Sequence, residues 1–215
     1  MRKMQLHSYF NSSTSFRVRI ALALKAVSYD MLPVNLRTGE QRADDYTALN
    51  PSAGVPLLQD DDFTLSQSLA IIDYLDAKFP QPRLIPLEPV ARARVLEFSL
   101  GIACDIHPVN NLRILQYLMR ELGTSEAQKQ AWYQHWVALG LAAAEQQLAQ
   151  HGHGRFCFGD QPTLADCCLI PQIANARRMN CPLGAYPRLM AVDAHCMSLS
   201  AFQAAAPGNQ ADYAK

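Results

Sequence analysis

No CxxC pair occurs among the six cysteines, Cys104, Cys157, Cys167, Cys168, Cys181 and Cys196. Dithiol redox chemistry at such a motif is therefore excluded. No Cys/His spacing matches a zinc site, so no metal is expected. A chain of 215 residues can build a core without disulfide staples, and reduced, mostly buried thiols in a cytoplasmic protein are expected. No apolar run approaches the roughly 20 residues that span a bilayer. The opening MRKMQLHSYF has basic residues but no apolar stretch or small-residue cleavage site, and reads as mature sequence. Nineteen basic residues balance nineteen acidic ones. A general nucleic-acid or membrane-surface binder is therefore not expected. Internal repeats and low-complexity segments are also missing.

What is present falls into two compositional halves. Met4 to Phe10 alternates as a strand does, and from Ser15 apolar residues recur at helical spacing through Phe16, Ile20 and Leu24. Arg17, Arg19 and Lys25 mark polar positions on that helix. YDMLPVNL reads as a second strand, and Arg37 to Asn50 as a loop with a short helix. GVPLLQDDDFTLSQS reads as a hairpin with its turn at Asp60 to Asp62. Ser66 is expected to cap a helix whose inward stripe is Leu69, Ile72, Leu75 and Phe79. The order is strand–helix–strand, hairpin, helix, a thioredoxin-like α/β arrangement whose first two strands should be parallel.

FPQPRLIPLEP, with four prolines, is the clearest boundary. The domains are therefore expected at 1–80 and 89–215, joined by a proline-rich linker at 81–88. Beyond the linker no strand pattern appears. Helices are expected over Val90 to Leu122 with a kink at Pro108, and from Ser125 to about Gln150. Another should follow the capping box Thr163-Leu164-Ala165-Asp166, with further helices from Pro187 and near Ser200. The second domain is all-α, and the tail after Pro207 is expected to fray.

A thioredoxin-like domain usually carries its reactive site between the first strand and first helix. Here that place holds Ser12, Ser13, Thr14 and Ser15. One reading is that these are only caps and turn formers. The other is an anion site, because a helix N-terminus offers unpaired N–H groups and a positive dipole end. A thiolate is such an anion. A thiol of ordinary pKa is only about 3% ionised at pH 7, and donors at this loop would raise that fraction. The loop has no cysteine, so the thiol would come from a ligand.

The runs SSTSFRVRIALALK, ALNPSAGVPLL, LSQSLAIIDYL, CDIHPVNNLRILQYL and PTLADCCLIPQIANARR resemble, in order and over essentially the whole chain, the zeta class of glutathione transferases, the maleylacetoacetate isomerases. The resemblance implies a thioredoxin-like domain followed by a helical one, a cytoplasmic homodimer, and reduced glutathione as cofactor. It implies Ser12 and Ser13 as the catalytic pair at the glutathione sulfur. Family members often have cysteine where this chain has Thr14, so side reactions of that cysteine are absent here. It also implies a cis Val55-Pro56 turn that presents Val55 N–H and C=O to the cysteinyl part of glutathione. Gln67 and Ser68 would bind the γ-glutamyl carboxylate, Gln41 would contact the glycine end, and Asn110 is a further contact to glutathione. His107, Arg113 and Arg178 are the expected contacts to a small dianionic substrate, since an Arg fork matches a carboxylate. Arg177 is expected on the surface, Asp166 as a folding cap, and Met119, Trp132 and Trp136 in the core.

The expected activity is glutathione-dependent cis–trans isomerisation of maleylacetoacetate to fumarylacetoacetate. The alternatives are a maleylpyruvate isomerase and a conjugating or dehalogenating transferase. Some relatives have arginine where this chain has Asn11, and the smaller positive cluster favours maleylacetoacetate. A non-catalytic interaction module is the reading from a different class. The intact Ser12-Ser13 and Gln67-Ser68 pairs argue against it.

Overall fold

The computed structural model of the chain describes residues 3–213. They form two compact units. One is the chain up to Leu84 with the stretch from Met197 onward; the other is Ile85–Cys196. The division at Leu84 lies in the proline-rich stretch. The final stretch, read from the sequence as part of the helical domain, groups with the first unit.

The first unit opens with β1 (Gln5–Ser8), α1 (Ser13–Leu24) and β2 (Asp30–Pro33). A 3-10 turn at Glu40–Arg42 leads to the short α2 (Asp44–Leu49), then β3 (Leu57–Asp60), β4 (Phe63–Ser66) and α3 (Ser68–Lys78). The sheet order is β2-β1-β3-β4. β1 and β2 pair in parallel, with Leu6 opposite Met31, as a right-handed strand–helix–strand crossover requires. β3 runs antiparallel to both β1 and β4. Leu6, Leu58, Ile71, Ile72 and Leu75 are wholly buried. They join the sheet to its helices, where removal of apolar area from water supplies the driving force.

The charged positions of α1 and its C-cap, Arg17, Arg19 and Lys25, are all buried. Lys25 Nζ donates to Asp76 Oδ1, Phe79 O and Pro82 O, each at 2.7 Å. All three of its hydrogens are thus used, which is how an ammonium survives burial. Ser66 does not cap α3; it ends β4, and the N-cap is Gln67, which makes no side-chain cap bond.

The second unit is helical: α4 (Pro89–Leu100), α5 (Leu112–Arg120), α6 (Glu126–His151), α7 (Leu164–Arg178) and α8 (Pro187–Met197). The expected single kinked helix over Val90 to Leu122 is instead broken. After α4 the backbone widens into a π-helical turn at Gly101–Ile106 and tightens into a 3-10 turn at Pro108–Asn110. Pro108 has no N–H to continue the ladder, and Asn111 caps α5 by accepting from Arg113 N–H. The Thr163–Asp166 capping box forms as read. Asp166 is fully buried, with Oδ2 accepting from Thr163 N–H at 2.7 Å and Oδ1 from Cys157 N–H at 2.8 Å.

A final helix, α9 (Ser200–Ala205), returns to the first unit. The following tail does not fray over its described part. Asp212 is buried, and its Oδ2 accepts the Phe10 N–H at 2.9 Å.

Candidate functional site

The row of hydroxyls at the start of α1 divides its labour. Ser12 is the N-cap, extended at φ −79° and ψ 118°, and its Oγ accepts the Ser15 N–H at 3.2 Å. Ser12 Oγ and Thr14 Oγ1 are 2.9 Å apart. Thr14 Oγ1 is also 2.9 Å from the Val55 carbonyl oxygen. A carbonyl only accepts, so the single Thr14 hydrogen goes to Val55, and the Ser12–Thr14 bond must be donated by Ser12. Ser13, the first residue of the helix, is buried, as is Ser15.

Val55-Pro56 is cis. The turn before it is held by Tyr46 Oη and Asn50 Nδ2, which donate to Gly54 O at 2.6 and 2.7 Å. Val55 packs against Val34, Tyr46 and Leu57. These contacts keep a strand-edge backbone beside the Ser12–Thr14 pair, reached through the Thr14 bond to Val55.

Gln67 has φ 72° and ψ 112°, a strained backbone for a side chain with a Cβ. Because α3 lacks a side-chain cap, its first N–H groups remain available to an anion. Ser68 Oγ, buried at that helix start, accepts from Arg17 Nη1 at 3.3 Å. Arg17 is 2% exposed, and its Nε and Nη2 have no partner among the described residues. A guanidinium buried this way favours a nearby negative charge. The sequence reading missed Arg17. Its signal was an arginine inside an apolar helical run. Gln41 sits in the 3-10 turn, buried, with Oε1 unpartnered among the described residues.

Arg19 and Asp212 grip the strand-to-helix loop from two sides. Arg19 Nη2 donates to Phe10 O at 3.0 Å, Nη1 to Ser8 Oγ at 3.0 Å and Tyr9 O at 3.3 Å, and Nε to Ala205 O at 2.9 Å. Burial lowers the Arg19 pKa to about 10, opposed by the charges of Tyr29 and Asp212. Asp212 takes the N–H of Phe10, whose C=O goes to Arg19. Both backbone groups of Phe10 are thus held, the N–H by a carboxylate and the C=O by a guanidinium, two residues before Ser12.

In the second unit, the broken helix carries His107, Asn110, Asn111 and Arg113. His107 Nε2 lies 3.1 Å from Asn111 Nδ2. Asn110 is buried, donates to Tyr133 O at 3.4 Å, and leaves Oδ1 unpartnered among the described residues. Burial pushes the Tyr133 hydroxyl pKa up to about 12, opposed by Arg178 beside it. Tyr133 therefore links Asn110 to Arg178, a connection the sequence did not reveal. Arg113 is exposed and makes no ion pair among the described residues. Arg177 is exposed too, but is ion-paired with Asp193 at 2.5 Å. Trp132 and Trp136 are only half-buried, and Trp132 donates to Val109 O at 2.9 Å. A cleft of about 280 Å³ between α6 and the π-helical turn that follows α4 is lined by Phe98, Ile102, Asp105, Trp136 and Leu139, and includes none of the expected site residues.

Two family comparisons cover most of the chain. Residues 2–77 match Glutathione S-transferase, N-terminal domain, and residues 127–192 match Glutathione S-transferase, C-terminal domain. The chain is 44% identical over 214 residues to a probable maleylacetoacetate isomerase of Vibrio cholerae, covering 99% of each. It is similar, at TM-score 0.95 and 45% identity, to a holo structure of a maleyl pyruvate isomerase described as a bacterial glutathione-s-transferase in zeta class, covering 97% of this chain and 99% of that one. A maleylacetoacetate isomerase of Anaeromyxobacter dehalogenans 2CP-1, with glutathione bound in its active site, superposes at TM-score 0.88 and 39% identity, covering 98% of each chain. The hydroxyl-bearing start of α1, the cis Val55-Pro56 turn, the uncapped start of α3 and these similarities agree: the chain belongs to the zeta class of the glutathione S-transferase family.

Proposed function

We propose that this chain is a glutathione-dependent cis–trans isomerase whose substrate is maleylacetoacetate. The observation that carries the reading is a pair of helix starts in one unit. The start of α3 has open N–H groups above a buried guanidinium, suited to a carboxylate, and the start of α1 carries hydroxyls, suited to a sulfur anion. Unpartnered buried atoms on Arg17 and Gln41 fit a polar, charged ligand better than an apolar one.

When bound, glutathione supplies a thiolate whose reversible addition to the alkene makes the double bond single long enough to turn. The chain's own residues prepare that step. Ser12, with Ser13, donates to the sulfur and favours its ionised form. Val55 N–H and C=O and Pro56 align the cysteinyl part, Gln67 and Ser68 take the γ-glutamyl carboxylate, and Gln41 and Asn110 add contacts. Arg113, Arg178 and His107 bind the dianion, and the two guanidiniums stabilise negative charge moving into the conjugated carbonyl. The assembly is a cytoplasmic homodimer. Among the described residues no helix is long and apolar enough to cross a membrane.

A second reading, maleylpyruvate as substrate, is favoured by the fit at TM-score 0.95 to a maleyl pyruvate isomerase. An ultraviolet assay on both acids, with and without reduced glutathione, separates the two. Glutathione-dependent conversion, faster on maleylacetoacetate, is the expected result. Faster conversion of maleylpyruvate selects the second reading. Binding of glutathione without either conversion points to a conjugating transferase, and failure to bind points to an interaction module.

A further inference from the structure

Thr14 bridges Ser12 and the Val55 carbonyl, the two places where the start of α1 and the cis turn meet. Its hydrogen bonds point to a task. In this structure the proton order is Ser12 Oγ–H to Thr14 Oγ1, and Thr14 Oγ1–H to Val55 C=O, both at 2.9 Å. Ser12 Oγ has one hydrogen, and that hydrogen is engaged with Thr14. To donate to a sulfur, it must turn away.

We propose that Thr14 is a relay that couples occupation of the Val55 carbonyl to the release of the Ser12 hydrogen. The inference rests on the reading that Val55 and Ser12 meet glutathione. An incoming backbone N–H competes with Thr14 for the Val55 oxygen. Displaced, the Thr14 hydroxyl rotates and donates to Ser12 Oγ. Ser12 Oγ then accepts from Ser15 N–H, already in place at 3.2 Å, and from Thr14, which fills both lone pairs. Its own hydrogen is free for the sulfur. No covalent bond forms or breaks; two hydroxyl rotors reverse direction. The reversal also strengthens the donor, because a hydroxyl that accepts hydrogen bonds is polarised toward giving one. Thr14 is a positioning residue, acting through Ser12. A cysteine at this place would do so weakly, since a thiol is a poor donor and acceptor.

The test is a double-mutant cycle read on the bound thiol. Wild type, Thr14→Val, Thr14→Ser, Ser12→Ala and the Ser12→Ala/Thr14→Val pair are saturated with reduced glutathione. Thiolate absorbance is then titrated against pH, and glutathione affinity and turnover are measured alongside. Thr14→Val should lower the thiolate fraction at neutral pH by on the order of fivefold, the worth of one ordinary hydrogen bond. Thr14→Ser should restore it. In the Ser12→Ala background Thr14→Val should add nothing, because Thr14 acts only through Ser12. Where Thr14→Val does not fold, Thr14→Ala makes the same deletion with less bulk. A bound-thiol pKa that answers to Ser12→Ala but not to Thr14→Val overturns the relay alone. So does an equal effect of Thr14→Val with and without Ser12. A thiol pKa indifferent to Ser12→Ala overturns the relay together with the reading beneath it.

Discussion

Asp212→Ala tests whether the end of the chain holds the strand-to-helix loop. Asp212 Oδ2 accepts the Phe10 N–H at 2.9 Å, and both residues are buried. Removing the carboxylate leaves that N–H without its partner, which costs about 1–3 kcal/mol. Two features set the place within that range. Asp212 Oδ1 is itself buried without a partner, so deletion relieves one desolvation penalty. Against this, the Asp212 charge helps keep buried Arg19 ionised, and Arg19 donates to Phe10 O. A net loss of about 1–2 kcal/mol follows. For a chain of this size each kcal/mol moves the melting temperature by about 2–4 °C, so a fall of about 2–8 °C is expected. Asp212→Asn keeps an acceptor for the N–H and should fall by less. Thermal unfolding followed by circular dichroism reads both variants. A melting temperature for Asp212→Ala within about 1 °C of wild type refutes the clamp and returns the tail to a passive role.

The other predictions bear on the site and on pH. Ser12→Ala should lose the cap, about 1 kcal/mol of stability, and reduce turnover by about tenfold or more as a donor to the thiolate is lost. Ser12→Asp should recover the stability, since aspartate caps well, but not the turnover, since a carboxylate cannot donate and repels a thiolate; an active Ser12→Asp would remove Ser12 as donor. Arg178→Ala should raise KM for the dianion by about fivefold or more with a smaller change in kcat, and steady-state kinetics showing an unaltered KM would discard its assigned role. Asp60 on β3 is buried, which raises its pKa, but hydrogen bonds from Lys78 and Tyr74 outweigh burial and hold it below the usual carboxylate value. A depressed folded pKa adds stability above the unfolded pKa that disappears as pH falls through the folded one. Asp60→Asn should therefore lower the melting temperature at neutral pH and flatten its acid-side decline, and melts from pH 7 to below pH 4 that stay parallel to wild type would contradict this.

Much of the architecture was legible because it is written in local patterns. The alternation in MQLHSYF, the hairpin signal in GVPLLQDDDFTLSQS and the Thr163–Asp166 box are each confined to a short stretch of chain. Each depends on contacts a few residues apart, where side-chain period and capping chemistry decide the outcome. Two local readings failed for identifiable reasons. Ser66 has the right side chain for a cap, but pairing with Leu57 keeps it in β4. Pro108 suggests a kink, but after the wide turn the helix ends in the 3-10 turn Pro108–Asn110, where Asn111 turns extended.

The amino-acid order by itself determined the α/β-then-helical class, the hydroxyls at the start of α1, the hairpin turn at Asp60 to Asp62 and the membership that the quoted motifs imply. Only the tertiary structure decided what the charged and polar members of those motifs do. Arg17, Arg19 and Lys25 look like a polar helix face until their partners appear, and those partners lie 51 residues away at Ser68 for Arg17, 186 at Ala205 for Arg19 and 51 at Asp76 for Lys25. Thr14 gains its meaning from a carbonyl 41 residues distant, and the tail from a peptide 202 residues before it. Hydrophobic period repeats along the chain and can be counted. A buried charge or a single hydroxyl is settled by whichever distant group the fold brings within hydrogen-bond reach, and no local pattern encodes that partner.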